Sequence, residues 1–348
     1  MIRPRRAVKR MAPYSPPTAG REGKLRLDFN ENTVGCSPRV LAALKRCATR
    51  ERLAVYPEYG EAREKLAAFF GVPPNALLFT IGTDEAIQVL ISTYIDDDAE
   101  VLVLEPSYAM YRFYAELAGA RVVAVPYRPA DLSFPHDRLL AAIGAKTRAV
   151  LIANPNNPTG TAVDPAGICR VLQKAKNAAV LIDVAYYEFC GITALDLVAD
   201  YPNLFVSRTF SKVYGMAGLR LGCLFSQARN IAWLHKAQSP YSVNTVAVIC
   251  ASEAVDDRDY INGYVAEALE SRALLRRALD KMGIPYYPSA ANFVLARFGK
   301  RSLEIRDRLR EKGVLVRDRS YEIAGCVRIT VGRKAQTRRF LAALREVL

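Results

Sequence analysis

One short segment of the sequence combines three side chains that could do chemistry together. Lys212 follows Ser211 directly, just after the apolar run 204–206, and Arg220 comes one short loop later. A lysine amine can form an imine with a carbonyl compound, which is a common route to covalent catalysis. A serine hydroxyl and a guanidinium both suit a phosphate group. Most lysines are ordinary surface residues, so this interpretation depends on the rest of the chain. If it holds, the segment predicts a Schiff-base lysine flanked by phosphate ligands, the set that pyridoxal phosphate requires.

The elements that must position this lysine show an alternating pattern between about residues 77 and 225. Seven apolar runs are mostly continuous rather than alternating, as strands buried on both faces of a parallel sheet are. They cover residues 77–81, 101–104, 122–125, 149–153, 180–182, 204–206 and 219–225. Helical patterns intervene at residues 84–94, 110–118 and 165–175. The alternation predicts an α/β fold with a mostly parallel seven-stranded sheet.

The pattern changes after about residue 240. A helical stretch over residues 247–282 is followed by a strand, a helix, two strands and a last helix, at residues 292–296, 303–312, 314–316, 327–331 and beyond. This mixture predicts a smaller α+β domain. We therefore divide the chain into an N-terminal arm at 1–24, a segment joining the small domain at 25–50, a large cofactor-binding domain at 51–240 and a small C-terminal domain at 241–348.

Polar residues gather where the predicted strands of the large domain end. These positions are Gly82-Thr83-Asp84, residues 105–108, residues 154–160, Asp183 and residues 209–212. In open α/β sheets, ligands bind beyond the carboxyl ends of the strands. The sequence thus predicts one site that draws residues from five strand ends.

Two of these positions fit particular parts of such a cofactor. Gly82, Thr83 and Asp84 open a helix after a strand, where free N–H groups and the helix dipole attract anions; Thr and Asp are also common helix caps. Asp183 ends an apolar run, and a buried carboxylate needs a cationic partner. A protonated pyridine nitrogen would supply one, whereas a helix cap or a structural ion pair is the simpler alternative. Tyr186 could donate a hydrogen bond to a ring oxygen.

Two further residues are candidates to contact the ring. Asn157 lies in a run rich in Asn, Pro and Gly, which is typical of a turn, and a rigid turn would hold its amide steadily enough to donate. Tyr108 could stack on the ring, although a half-buried structural tyrosine is the ordinary alternative.

Composition excludes several other classes of protein. The 348 residues carry a net charge of +14, but the basic clusters lack the aromatic pattern of a nucleic-acid site, and two of them lie on helix-like segments as solvated faces. No run approaches the roughly 20 apolar residues of a membrane span. The seven cysteines show no zinc-ligand spacing and only His136 and His235 could assist them, so we expect no metal site. Scattered thiols suit a reducing cytoplasm.

The first 24 residues are rich in arginine and proline and lack the apolar core of a secretory signal. They resemble a transit peptide only weakly. We expect residues 12–17 to form an extended arm that lies over another part of the protein, and we expect a cytoplasmic location.

Taken in order, the motifs of this chain resemble those of fold-type-I pyridoxal-phosphate aminotransferases, most closely the histidinol-phosphate aminotransferases. The resemblance runs from about Leu25 to the C-terminus. The motifs are Leu27-Asp28-Phe29-Asn30-Glu31-Asn32, Tyr56-Pro57-Glu58, Gly82-Thr83-Asp84-Glu85, Pro106-Ser107-Tyr108, Asn156-Asn157-Pro158-Thr159-Gly160, Asp183-Val184-Ala185-Tyr186, Ser211-Lys212 and Arg328-Ile329-Thr330-Val331-Gly332. Each is weak alone, whereas eight in order are specific.

The resemblance implies a role for each candidate. Lys212 would carry the cofactor and later move a proton, and Asp183 would pair with the pyridine nitrogen. Asn157 and Tyr186 would contact the ring oxygen. The remaining implied cofactor ligands are Tyr108 on the ring and Gly82, Thr83, Asp84, Ser211 and Arg220 on the phosphate. Tyr56 would reach that phosphate from the partner subunit of a homodimer. The implied substrate ligands are Arg328, Arg317 and Asn32.

The implied reaction converts histidinol phosphate and 2-oxoglutarate to imidazole-acetol phosphate and glutamate, in histidine biosynthesis. Two departures bear on it. Val184 stands where the family usually has an acidic residue, and Thr33 and Val34 replace a proline and an aromatic residue that close over substrate. An aromatic amino acid aminotransferase and a threonine-phosphate decarboxylase share the motifs and stay open as alternatives. A cofactor-binding transcription regulator would need an appended DNA-binding module, for which the arm is too short.

Overall fold

The computed structural model describes residues 2–13 and 17–348. Two sheets account for the strands of these residues. The strands are β1 (Leu25–Leu27), β2 (Leu77–Thr80), β3 (Glu100–Glu105), β4 (Arg121–Pro126), β5 (Thr147–Ala153), β6 (Ala179–Asp183), β7 (Leu204–Thr209), β8 (Gly222–Phe225), β9 (Tyr286–Tyr287), β10 (Phe293–Arg297), β11 (Val314–Asp318) and β12 (Cys326–Thr330).

Helices pack on both faces of the larger sheet, and three helices near the C-terminus pack beside the smaller sheet. They are α1 (Arg6–Arg10), α2 (Pro38–Cys47), α3 (Arg50–Leu53), α4 (Gly60–Phe70), α5 (Gly82–Tyr94), α6 (Ala109–Ala118), α7 (His136–Ala142), α8 (Pro165–Lys174), α9 (Ala228–Ala237), α10 (Thr245–Ala254), α11 (Arg258–Lys281), α12 (Ser302–Glu311) and α13 (Lys334–Val347).

The larger sheet has seven strands in the order β2-β8-β7-β6-β5-β3-β4. Strands β3 to β7 pair in parallel, and only β8 runs antiparallel to its two neighbours. The central strands are buried along their whole length, as β6 and β7 show, which explains why their sequences are continuously apolar. The prediction of a mostly parallel seven-stranded sheet is confirmed. The carboxyl ends of β3, β5, β6 and β7 consequently meet at one edge.

Two boundaries differ from the sequence prediction. The run 219–225 is not one strand, because Arg220 has a left-handed backbone (φ 57°) and β8 begins only at Gly222. The predicted helix 247–282 is two helices, α10 and α11, separated by Val255, Asp256 and Asp257. Aspartate side chains favour helix ends over helix interiors, and Asp256 is drawn into an ion pair with Lys65 (2.6 Å).

The smaller sheet has the order β1-β11-β12-β10-β9. Its edge strand β1 comes from the beginning of the chain and pairs in parallel with β11, with Leu25 opposite Val314. Strands β11 and β12 are antiparallel and place Arg317 opposite Arg328. A separate apolar core lies beside this sheet and includes residues of α11, α12 and α13. The domain boundaries at residues 24, 50 and 240 stay a prediction.

The N-terminal residues lie against the larger sheet's helices. Helix α1 packs on α6, and Arg5 donates to the Ala118 carbonyl and lies 3.8 Å from Asp97. Part of the arm expected at residues 12–17 falls on Tyr14, Ser15 and Pro16, which lie outside the described residues. No helix in the described ranges is both long and apolar enough to cross a membrane.

Candidate active site

A cavity of about 580 Å³ opens at the carboxyl edge of the larger sheet, where the smaller sheet faces it. Most of the side chains that the sequence singled out line this cavity. They are Thr83, Asp84, Tyr108, Asn157, Asp183, Tyr186, Ser211, Lys212, Arg220, Arg317 and Arg328. Residues separated by up to 245 positions in the chain are thereby brought to one place.

Lys212 enters the cavity from the loop that follows β7. Its Nζ donates to the Phe29 carbonyl (3.1 Å) and lies 5.9 Å from the centre of the Tyr186 ring. Gly215 closes this loop with a left-handed backbone (φ 68°), and a Cβ there would come within 2.4 Å of the Gly35 backbone. Only glycine permits this close approach. The loop therefore presents the lysine amine to the cavity from a fixed backbone.

Asp183 is the last residue of β6 and lines the same cavity. Its buried carboxylate accepts hydrogen bonds from Tyr111 Oη (2.9 Å) and Ser207 Oγ (3.0 Å). Burial raises the pKa of Asp183 to about 6, although both hydroxyl donors lower it. No lysine or arginine within the described ranges forms an ion pair with it. A buried carboxylate without a protein cation is suited to bind a protonated ring nitrogen.

The amino end of α5 forms a third wall of the cavity. Its first N–H groups have no partners within the helix, and the buried Thr83 hydroxyl has no hydrogen-bond partner in the described chain. A Cβ at Gly82 would lie 2.9 Å from Arg220 Nη2, so the glycine makes room for the guanidinium. Together with Ser211, these groups form a cup of donors that fits a phosphate.

Asp84 holds two side chains beside this cup through hydrogen bonds, those of Tyr108 and Arg220. One carboxylate oxygen accepts from Tyr108 Oη (2.6 Å) and the other from Arg220 Nη2 (3.0 Å). The Tyr108 ring also packs edge-on against Tyr111, with the ring centres 5.7 Å apart. The Asp84 side chain thus fixes the tyrosine beside the cavity, while its backbone belongs to the amino end of α5.

The opposite wall carries three guanidinium groups, those of Arg317, Arg319 and Arg328. Arg328 is only 3% exposed and donates to the Asp28 carbonyl (2.6 Å) and to Asn157 Oδ1. Burial, followed by the charges of Arg319 and Arg317, lowers the pKa of Arg328 to about 9. Nitrogens of all three arginines are buried without a partner in the described chain. Arg319 is paired with Glu322, whereas Arg317 and Arg328 have no carboxylate partner within the described ranges, so these two guanidiniums fit an anionic substrate group.

Several residues of the site were missed by sequence reasoning. Arg319 could have been found, since it lies two positions after Arg317 and alternation places both on one face. Asn30 donates to Tyr186 Oη (2.9 Å), and Tyr111 had no motif to mark it. Arg21 also lines the cavity and binds Asp28 and Glu31. Burial lowers the pKa of Arg21, but these two carboxylates outweigh burial and raise it.

Two candidates lie elsewhere. Asn32 does not line the cavity, because its amide donates to the Val213 carbonyl (2.8 Å) and accepts from the N–H of Val34. Its role as a substrate ligand stays a prediction, and Asn30, two positions earlier, lines the cavity. Tyr56 is 75% exposed, outside the cavity of its own chain, and stacks on Tyr241 with ring centres 4.5 Å apart.

The two departures from the family pattern also lie outside the cavity. Val184 is buried in the apolar core beside the larger sheet, where an apolar side chain is favoured over a charged one. Thr33 donates through its hydroxyl to Gln336 (2.6 Å) on α13, and the neighbouring Val34 is partly exposed.

Comparison with known proteins agrees with this arrangement. Residues 22–344 match the model of the family described as aminotransferase class I and II. The chain belongs to this family. The fold-type-I assignment and the aminotransferase chemistry that the motifs predicted are thereby confirmed.

Individual relatives carry more specific names. The chain is 40% identical to a histidinol-phosphate aminotransferase of Symbiobacterium thermophilum, over 99% of this chain and 98% of the relative. It is 38% identical to the enzyme of the same name from Roseiflexus castenholzii, over 93% and 89%. A crystal structure of histidinol-phosphate aminotransferase from Sinorhizobium meliloti, in complex with pyridoxal-5'-phosphate, is 28% identical and superposes with a TM-score of 0.91, covering 100% of this chain and 98% of that one.

The raised pKa of Asp183 predicts a pH-dependent stability of the ligand-free protein. The folded-state value of about 6 exceeds the unfolded value of 3.8, so stability is lost as pH rises through this interval. At roughly 1.4 kcal/mol per pH unit, the loss reaches about 3 kcal/mol. Asp183→Asn removes this titration. We expect the variant to match the wild type near pH 4 and to exceed its free energy of unfolding by about 3 kcal/mol at pH 8. Urea unfolding of both proteins across this range measures the difference; a difference that does not change with pH contradicts the assignment.

Proposed function

We propose that this protein is a pyridoxal-phosphate-dependent aminotransferase that transfers the amino group of histidinol phosphate to 2-oxoglutarate. The observation that carries the proposal is the joint placement of Lys212, the buried Asp183 and the donor cup of α5 in one cavity. The names of the 40% and 38% identical relatives support the choice of donor. When bound, the cofactor supplies an aldehyde carbon and an electron-withdrawing ring.

Different residues of the chain would contact different parts of the cofactor. The N–H groups at the start of α5, with Thr83, Ser211 and Arg220, hold the phosphate. Asp183 holds the protonated ring nitrogen and keeps its charge in place. Tyr186 and Asn157 would contact the ring oxygen, and Tyr108 would contact the ring. The Lys212 amine would hold the cofactor through its aldehyde and, once free, would accept a proton from the substrate Cα.

The arginine wall fits both substrates of the proposed reaction. Histidinol phosphate carries a phosphate group, and 2-oxoglutarate carries two carboxylates. A guanidinium fork binds either anion with matching geometry, so Arg317 and Arg328 serve the two substrates in turn. Binding energy from this remote group also orients the reacting amine beside Lys212.

We further infer a homodimer in which Tyr56 completes the cofactor site of the partner. Tyr56 and Tyr241 form an exposed aromatic pair, and the neighbouring Leu53 and Val55 are 67% and 64% exposed. Exposed apolar side chains grouped in this way are typical of a protein interface.

All seven cysteines are free thiols, which supports a cytoplasmic location.

Half-reactions test the choice of substrate. Histidinol phosphate, phenylalanine and threonine phosphate are each mixed with the cofactor-loaded protein, and single-turnover rates are read from the cofactor absorbance. We expect histidinol phosphate to react at least tenfold faster than phenylalanine at low concentration, because its doubly charged phosphate binds the arginine wall more strongly than a single carboxylate does. Threonine phosphate also carries a phosphate, so its product decides the comparison, and we expect no release of carbon dioxide from it. A faster reaction with phenylalanine favours an aromatic aminotransferase. Loss of carbon dioxide from threonine phosphate favours the decarboxylase and contradicts the proposal.

Mixing inactive variants tests the homodimer and the role of Tyr56. Lys212→Ala and Tyr56→Ala are assayed separately at limiting cofactor, then together after subunit exchange. Random exchange leaves about a quarter of all sites with both native side chains, so activity should recover to roughly that fraction. Lys212→Ala mixed with Asp183→Asn is the matched control, since both residues come from one chain and no site is restored. Absence of recovery in the first mixture contradicts a shared site.

A further inference from the structure

Asn157 is held by two arginines at once. Its Oδ1 accepts hydrogen bonds from Arg328 Nη1 and from Arg319 Nη2 (3.3 Å). An amide oxygen has two lone pairs, so these two donors occupy both of them. The Asn157 side chain lines the cofactor cavity, and its amide therefore meets the cavity with a defined orientation.

The chemistry of guanidinium dictates which way this amide faces. Arginine carries only donors and no acceptor. If the Asn157 amide turned over, its NH₂ group would face two donors and neither would have a partner. The oxygen must therefore face the arginines, and Nδ2 must face away from them. Asn157 is thus fixed as a donor toward the cavity.

The two arginines differ in how they are anchored. Arg319 is 8% exposed, and its Nη1 donates to Tyr321 Oη (2.7 Å) and Glu322 Oε2 (3.0 Å). Its backbone N–H also donates to the Cys326 carbonyl (2.9 Å), in the turn between β11 and β12. These contacts lie within the smaller sheet and its turn, and none of them requires a ligand.

Arg328 has the opposite character. It forms no ion pair within the described ranges, unlike Arg319 with Glu322, and burial, followed by the charges of Arg319 and Arg317, lowers its pKa. A substrate anion would relieve this repulsion and attract the Arg328 guanidinium. If Arg328 turns to the anion, its hydrogen bond to Asn157 weakens. Arg319 then remains as the donor that prevents the amide from turning over.

We propose that Arg319 is a positioning residue that keeps Asn157 Nδ2 aimed at the cofactor's ring oxygen while Arg328 binds the substrate anion. This inference rests on the proposed function, because it assigns the acceptor on the other side of Asn157 to the cofactor. Arg319 itself acts only through Asn157. It was not among the residues that the sequence motifs identified.

The test is the pH midpoint of the bound cofactor's visible absorbance, which reports the proton shared by the ring oxygen and the nitrogen of Lys212. A donor to the ring oxygen stabilises its negative charge and weakens its hold on that proton. Arg319→Met keeps the stem but removes the donors. We expect the midpoint to rise by roughly half to one pH unit. Arg319→Lys keeps one donor group, so its midpoint should lie close to that of the wild type.

A double-mutant cycle separates positioning from a general effect of charge. Asn157→Ala should raise the midpoint at least as much as Arg319→Met, and the double variant should match Asn157→Ala alone. An equal further shift in the Asn157→Ala background would mean that Arg319 acts directly by its charge, and this overturns the proposal. Arg345→Met, which removes an exposed arginine from α13, is the control for net charge and should leave the midpoint unchanged.

Two further outcomes are decisive. If Arg319→Met fails to fold, as thermal unfolding would show, the cycle is carried out with Glu322→Gln, which weakens the anchor of the Arg319 guanidinium and should raise the midpoint in the same direction. An unchanged midpoint in folded Arg319→Met, or in the Glu322→Gln variant that replaces it, with the cofactor retained, overturns the inference about Arg319 alone. Failure of the wild-type protein to bind pyridoxal phosphate overturns the proposed function instead.

Discussion

The buried carboxylate of Asp183 is the constraint on which the site depends. Burial raises the pKa of this group to about 6, so the folded protein bears a cost for ionising it near neutral pH. Tyr111 and Ser207 stabilise the charge through two hydrogen bonds but do not neutralise it. A cationic ring nitrogen both stabilises and neutralises this charge. Binding of the cofactor therefore removes the free-energy cost of ionising Asp183. The larger sheet provides the position, since β6 ends at the cavity.

Positive charge on the facing wall balances this arrangement. Arg317 and Arg328 are opposite each other on β11 and β12, and Arg319 follows in the adjoining turn. Strand β1, from the beginning of the chain, pairs with β11, and the next residues carry Phe29 and Asn30 into the cavity. The smaller sheet thus brings its guanidiniums to the cofactor cavity, with the Asn157 amide as the contact between the two walls.

Much of the fold and of the site was predictable from local sequence. Continuous apolar runs identified the strands of the larger sheet because these strands are buried on both faces, and the motifs at their ends pointed to Lys212 and Asp183. Arg328 was singled out by a separate motif in β12 of the smaller sheet. What local sequence could not show are contacts between distant residues. The Asn32 amide, for example, donates to the Val213 carbonyl, far along the chain, and Asn32 does not line the cavity. Tyr111 contacts Asp183 and Arg319 contacts Asn157. Strand alternation could have marked Arg319 beside Arg317, but no local pattern encodes either pairing.

The most direct measurement locates the covalent attachment of the cofactor. The protein is loaded with pyridoxal phosphate, reduced with borohydride, digested and mapped by mass spectrometry. We expect a single modified peptide that carries the reduced cofactor on Lys212, and no modification in the Lys212→Ala variant. A tag on a different lysine, or none at all, would mean that Lys212 does not hold the cofactor.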